Sequence, residues 1–156
     1  MSTVMTWQTE STTSEETERL GESLGRSLRG GEVLELVSDL GGGKTTFTRG
    51  LARGAGSTER VGSPTFTLSR EYKTPTFTVA HFDFYRLGEA GIVGDELDEI
   101  IHDPTYVTVV EWGDIVHDVL PEQRLTVLLE QTGEDTRRIT ITYPESMAYV
   151  LEGARR

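Results

Sequence analysis

The segment Ser38-Asp39-Leu40-Gly41-Gly42-Gly43-Lys44-Thr45-Thr46 carries the residue types that hold a phosphate chain. Glycines let the backbone turn so that successive N–H groups converge on phosphate oxygens. Lys44 supplies a cation for β- and γ-phosphates, and the Thr45 hydroxyl is an oxygen donor suited to Mg²⁺. The β-rich run Val33–Val37 precedes the segment, and a helical stretch from Lys44 to about Arg53 follows it. Strand, glycine loop and helix in that order are the context a P-loop requires, and the helix N-terminus adds the positive end of its dipole. One position departs from G-x-x-x-x-G-K-[ST]: Ser38 stands where the pattern has glycine.

A phosphate loop needs acids for its metal and for the attacking water. Two lie at the ends of apolar runs: Asp83 after Thr78-Val79-Ala80-His81-Phe82, and Glu111 after Val107-Thr108-Val109-Val110. Ligands of α/β sheets gather at the carboxyl ends of strands, so both acids are well placed. His81, in the middle of its run, reads as structural rather than catalytic.

These residues need a scaffold, and the chain supplies alternating helical and strand patterns. A short strand is suggested around Val4–Gln8. Thr13 or Ser14 reads as an N-cap before Glu15 and Glu16, and Leu20, Leu24 and Leu28 form one apolar helix stripe, with Gly21 and Gly25 beside it for close packing. Gly30-Gly31 is expected to end that helix. Thr65–Tyr72 and Thr76–Phe82 read as a hairpin around Lys73-Thr74-Pro75. Val93, Leu97, Ile100 and Ile101 give a helical stripe, Val107–Val110 a strand, Arg124–Leu129 and Arg137–Thr142 a second hairpin, and the tail from Pro144 a short helix. The expected fold class is α/β, a single-domain, P-loop NTPase-like three-layer fold with a mixed central sheet over residues 1–156, with flexible ends at 1–13 and 152–156.

The chain has 156 residues, no cysteine, and a net charge of −11 from 15 Lys+Arg and 26 Asp+Glu. The absence of cysteine rules out disulfides, thiol nucleophiles and Cys-ligated zinc. The charge argues against nucleic-acid binding through a broad basic face. Arg49 and Arg53 on the helix after the loop are the only obvious start of a local basic strip. No apolar run approaches the ~20 residues of a membrane span, and the polar start Met1-Ser2-Thr3 does not resemble a secretion signal, so a cytoplasmic, soluble protein with no membrane partner is expected.

Taken together, the phosphate loop, Ser63-Pro64-Thr65-Phe66-Thr67-Leu68, His81-Phe82-Asp83-Phe84-Tyr85-Arg86-Leu87 and Val110-Glu111-Trp112 resemble the TsaE (YjeE) family in order and spacing, from about Ser14 to Arg138. The family consists of bacterial P-loop ATPases needed for the threonylcarbamoyladenosine modification at position 37 of tRNA. The resemblance implies that Leu40, Gly41, Gly42, Gly43, Lys44, Thr45 and Thr46 wrap the phosphates of ATP or ADP and that Thr45 binds Mg²⁺. It implies that Asp83 takes the Walker B-like position, that Glu111 is the second acid on the Mg²⁺ side, and that Thr65 senses the γ-phosphate. Trp112 would lie where an indole face stacks on adenine, Ser14 near the adenine, and Arg137 at a basic position on the late hairpin. Family members usually read G-D-L-G-A-G-K-T, so Ser38 and Gly42 are departures here.

The implied activity is weak, partner-stimulated Mg²⁺-ATP hydrolysis that resets a complex of TsaB and TsaD. The chain itself would not perform the transfer, and tRNA would be met mainly through the complex. Two other readings stay open: a nucleotide-gated scaffold without productive hydrolysis, and a small-molecule kinase. The acidic character of the region after Asp83 weighs against the Arg-rich lid of a kinase. No Asn/Thr-Lys-x-Asp is present to read guanine. Arg86 can pair with a phosphate or with a partner's carboxylate. Asp95, Glu96, Asp98 and Glu99 flank an apolar stripe and read as a solvated face.

Overall fold

The computed structural model describes residues 3–38, 43–61, 69–84, 91–111 and 118–155, with the backbone alone for 91–94. The strands are β1 (Val4–Ser11), β2 (Val33–Ser38), β3 (Ser69–Lys73), β4 (Thr78–Asp83), β5 (Tyr106–Glu111), β6 (Leu125–Gln131) and β7 (Arg137–Pro144). The helices are α1 (Ser14–Ser27), α2 (Lys44–Gly54) and α3 (Gly91–Ile101), with a 3-10 segment over Glu145–Leu151. The strands form one mixed sheet in the order β1-β7-β6-β2-β5-β4-β3. β2 runs parallel to both β5 and β6, and β4 parallel to β5; the β3–β4, β6–β7 and β1–β7 pairs are antiparallel. This is the α/β class with a mixed sheet that the sequence predicts.

Strand alternation sorts the core into two layers. Leu34, Leu36, Val79, Val107, Val109, Leu125, Val127, Ile139 and Ile141 face α1, α2 and the 3-10 segment, packing on Leu24, Phe47, Leu51 and Val150. Val33, Ala80, Phe82 and Val110 face the other way, onto Leu97 and Ile101 of α3. The central strands β2, β4 and β5 are therefore largely apolar on both sides, with Glu35, His81 and Thr108 as buried polar positions within them.

Thr13 caps α1, its hydroxyl accepting the N–H of Glu16 at 3.1 Å, as the Thr-Ser-Glu-Glu pattern predicts. The helix ends earlier than Gly30-Gly31. Ser27 is its last residue, and Leu28 has turned to extended backbone with its N–H on Gly25 O. The Glu32 carboxylate then collects the N–H groups of Arg29 (2.8 Å) and Gly30 (2.7 Å), closing the turn from the far side.

α1 and α2 approach until their backbones nearly touch. A Cβ on Gly21 would fall against Phe47 O and 3.1 Å from Leu51 N, and one on Gly25 would collide with Leu51 O. In return, Gly50 and Gly54 of α2 lie against Glu18 O and Glu22 O of α1. The suggested close packing beside the leucine stripe is thus reciprocal, glycines four apart on each helix.

Two further expectations change. The expected free end at residues 1–13 is a strand where it is described: Val4–Ser11 pairs with β7 from Val4↔Pro144 to Ser11↔Arg137, and Met5 and Trp7 pack on the core. At the other end, the N–H groups of Ala154 and Arg155 bond to Leu151 O, and Ala154 packs on the same core. The first hairpin, β3–β4, pairs as predicted from Ser69 onward; residues 65–68 of its first strand lie outside the described residues. No described helix is long and apolar enough to cross a membrane.

Candidate nucleotide site

The sheet topology delivers the candidate residues to one edge. β2, β4, β5 and β6 are linked by parallel pairing, so Ser38, Asp83 and Glu111 end on the same side. β7 runs antiparallel and starts at that edge with Arg137; β1 finishes there with Ser11, paired to Arg137. α1 begins immediately after β1, which sets Ser14 beside Arg137.

α1 and α2 differ at their N-termini. α1 has a threonine cap and two glutamates in its first turn. α2 begins on Gly43 with φ +98°, has no side-chain cap, and carries no acid in its first turn. The N–H groups of a helix's first turn have no intrahelical acceptors. Here their nearest charged residue in sequence is Lys44, a cation at the positive end of the helix dipole, which is locally unfavourable. Such a break in the local rules makes this helix start a candidate anion site. The positive φ at Gly43 requires glycine, since L side chains avoid that region.

Lys44 is 7% exposed and Glu111 3%. Lys44 Nζ lies 3.8 Å from Glu111 Oε1 and donates to Ser38 O at 3.4 Å. The other Glu111 oxygen, Oε2, is hydrogen-bonded to His81 Nε2 from the neighbouring strand. Asp83 is the direct register partner of Glu111, so the two carboxylates lie on the same face of adjacent parallel strands. The Phe84 N–H bonds back to Glu111 O at 3.1 Å, pinning the chain just past Asp83.

Beside this centre lies a cavity of about 140 Å³ lined by Ser14, Thr17, Gly43, Thr46, Asp135 and Arg137. Four of the residues singled out in the sequence therefore share one cavity, brought from α1, the start of α2 and the β6–β7 hairpin. Thr45, in the first turn of α2, is half-buried. Thr65, Leu40, Gly41, Gly42 and Trp112 lie outside the described residues.

Three residues at the site carry no such assignment in the sequence reading. Thr17 lies on the α1 stripe, three residues before Leu20, and its hydroxyl meets Ser11 Oγ at 2.7 Å. Asp135 sits in a hairpin turn without a motif. His81, read as structural, touches Glu111 because β4 and β5 are neighbours, a pairing that no local pattern encodes. Conversely, Arg49 and Arg53 do not form a free basic strip. Arg53 bonds Glu18 at 2.6 Å and Glu22 at 3.3 Å, and Arg49 bonds Glu18 at 3.3 Å. The Arg53 and Arg49 guanidiniums hold the Glu18 carboxyl below the usual carboxylate range.

The fold and this edge define an α/β protein with a mixed sheet and a candidate anion site, two acids at the carboxyl edge facing a helix start that carries a buried lysine. Comparison with known proteins makes the kinship specific. The family model described as "Threonylcarbamoyl adenosine biosynthesis protein TsaE" matches residues 11–139. The tRNA threonylcarbamoyladenosine biosynthesis protein TsaE of Bacillus subtilis is 41% identical over 129 residues, covering 82% of this chain and 80% of that protein. The protein of the same name from Treponema pallidum is 39% identical over 132 residues, covering 84% and 96%. The crystal structure of YdiB from Bacillus subtilis superposes with a TM-score of 0.81 at 34% identity, covering 99% of this chain and 98% of that one. The chain belongs to the TsaE family.

Proposed function

We propose that this chain serves tRNA threonylcarbamoyladenosine biosynthesis as a weak Mg²⁺-dependent ATPase whose turnover is coupled to TsaB and TsaD. The observation that carries the reading is the meeting of Lys44, from the uncapped start of α2, with Glu111 at the end of β5. A buried lysine at a helix N-terminus is suited to an incoming phosphate, and a carboxylate beside it is suited to the metal and water that accompany the phosphate.

The donor set fits magnesium. The Thr45 hydroxyl and the Asp83 and Glu111 carboxylates are hard oxygen donors, and magnesium at phosphate sites commonly takes one or two protein carboxylates with waters and phosphate oxygens. Among the described residues no group of three or more His, Cys, Asp or Glu is placed to hold a metal ion by itself, so these residues offer a partial shell rather than a cage. When bound, the ion neutralises charge on the phosphates and polarises the bond that breaks.

In this reading Lys44 transfers its ammonium from Glu111 to the β- and γ-phosphates. The first-turn N–H groups of α2 hold the phosphate oxygens, and Glu111, released from Lys44, orients the attacking water. Ser14, Thr17 and Arg137 grip the far end of the nucleotide through their shared cavity. Leu40, Gly41 and Gly42 complete the phosphate wrap, Thr65 senses the γ-phosphate and Trp112 stacks on adenine; these assignments rest on the family resemblance. Hydrolysis resets the complex, and the transfer to tRNA belongs to the partners.

The test is ATP turnover by the purified chain, alone and then with TsaB and TsaD from the same source. Strong stimulation by the pair is expected. Tight ATP binding without stimulation would favour a nucleotide-gated scaffold, and delivery of labelled γ-phosphate to a metabolite rather than to water would favour a kinase.

A further inference from the structure

We infer that His81 is a positioning residue that fixes the Glu111 carboxylate, and that it acts on turnover only through Glu111. The inference rests on the ATPase reading above. His81 is fully buried, and its Nε2 bonds Glu111 Oε2. Its Nδ1 has no hydrogen-bond partner among the described residues. Among the described residues the imidazole therefore makes one polar contact, and that contact is Glu111. A buried ring whose Nδ1 has no partner among the described residues is costly as a core filler, since an apolar ring of the same size would bury no unpaired nitrogen. Its retention in an otherwise apolar strand core, between Val79 and Asp83, points to the work done by Nε2.

The geometry gives that work its content. Glu111 has two oxygens with separate holders: Oε1 faces Lys44 and Oε2 faces His81. When Lys44 leaves for a phosphate, the His81 bond is the one among the described residues that keeps the carboxylate from rotating about its terminal torsion, which is intrinsically broad. With Nε2–H donating to Oε2, Oε1 stays aimed at the space Lys44 vacates. The register supports the arrangement: His81 is two residues before Asp83, and Asp83 is paired with Glu111, so all three share one face of β4 and β5. Tyr72 flanks the imidazole from β3, with ring centroids 6.3 Å apart, and limits its tilt.

Three variants test this: His81→Phe fills the volume without a donor, His81→Gln places an amide N–H near the Nε2 position, and Glu111→Ala removes the acceptor. If His81→Phe does not fold, His81→Asn replaces it, being polar but too short to reach Glu111. The first readout uses the nucleotide-free, metal-free chain. A slowly exchanging imidazole Nε2–H proton, seen by NMR, is expected in the wild type and absent in Glu111→Ala. The second is turnover with TsaB and TsaD. Removal of an outer contact to a catalytic group typically costs ~10–100-fold, so His81→Phe is expected to lower kcat by that much. ADP affinity without metal should stay within about threefold, because the lost contact is not to the nucleotide. His81→Gln should recover most of the loss, and His81→Phe should cost nothing further in the Glu111→Ala background.

An equal loss in both backgrounds, a Gln variant as poor as Phe, or a rapidly exchanging Nε2–H would overturn the assignment of His81 while leaving the ATPase reading intact. Absence of ATP turnover in the wild type, with and without partners, would overturn both together, and that result is distinct.

Discussion

Lys44 and Glu111 hold each other at 3.8 Å, both nearly buried, one from the first turn of α2 and the other from the last residue of β5. A buried charge is tolerated only with a partner, so each makes the other's position affordable. Any anion reaching the start of α2 competes with Glu111 for the lysine. Lys44→Ala is therefore expected to weaken ATP binding by roughly 10–100-fold, the scale of a lost charge-assisted hydrogen bond. Glu111→Ala should retain binding and lose turnover. Titration calorimetry with ATP decides the first, and unchanged affinity would sink the phosphate-loop assignment.

The α1–α2 interface sets where the start of α2 sits relative to Ser14 and Thr17. Alanine raises helix propensity over glycine by up to about 1 kcal/mol. At Gly21 or Gly50 it would place a Cβ against the backbone of the opposite helix. We expect net destabilisation of about 1–3 kcal/mol for Gly21→Ala and for Gly50→Ala, because overpacking against backbone has no flexible side chain to yield. Gly153 is the control: its Cβ would meet nothing closer than 3.5 Å, and Gly153→Ala should stay within about 0.5 kcal/mol of wild type. Urea unfolding measures all three, and a stabilised Gly21→Ala would contradict the packing described.

Glu32 is buried and receives the Tyr149 hydroxyl at 2.5 Å, while the Arg29 guanidinium lies 3.8 Å over the Tyr149 ring. Burial, then the hydrogen bond to Glu32 and its charge, push the Tyr149 hydroxyl well above the ordinary tyrosine range. A folded pKa raised above the unfolded value gives stability that is complete below the unfolded tyrosine value of about 10 and is lost as the pH climbs toward the folded one. Wild-type stability should therefore fall as the pH is raised above that point, and Tyr149→Phe should fall less. At neutral pH the variant is expected to lose about 1–2 kcal/mol from the missing hydrogen bond. Parallel alkaline slopes in urea unfolding of the two proteins would count against the coupling.

Arg137 lines the cavity with Ser14, Thr17, Gly43, Thr46 and Asp135, a lining that includes neither Lys44 nor Glu111. Its loss should affect grip rather than chemistry. Arg137→Ala is expected to raise the KM for ATP by about 3–10-fold with kcat little changed, the pattern of uniform binding removed. Steady-state kinetics with TsaB and TsaD separates the two, and a fall in kcat alone would move Arg137 into the reaction centre.

Local chemistry was enough to mark the candidate phosphate loop, the capping threonine, the apolar stripes and the strand-end acids. Each of these is a short-range signal: a glycine run before Lys-Thr, a side-chain oxygen three residues before an N–H, an apolar period along one helix. Such signals depend on neighbours within a few residues, so the sequence by itself determined the α/β class and most of the site's parts. The partners of those parts depend on strand order, which the sequence does not print. β4 lying beside β5 turned His81 from a core residue into a hydrogen-bond partner of Glu111. The Ser11↔Arg137 register carried Ser14, Thr17 and the late hairpin to one cavity and made the first residues an edge strand. The pairing of Arg49 and Arg53 with Glu18 and Glu22 removed a basic strip that looks free along the chain. Contacts between residues far apart in the chain form only when several elements pack at once, and so the tertiary structure alone decided them.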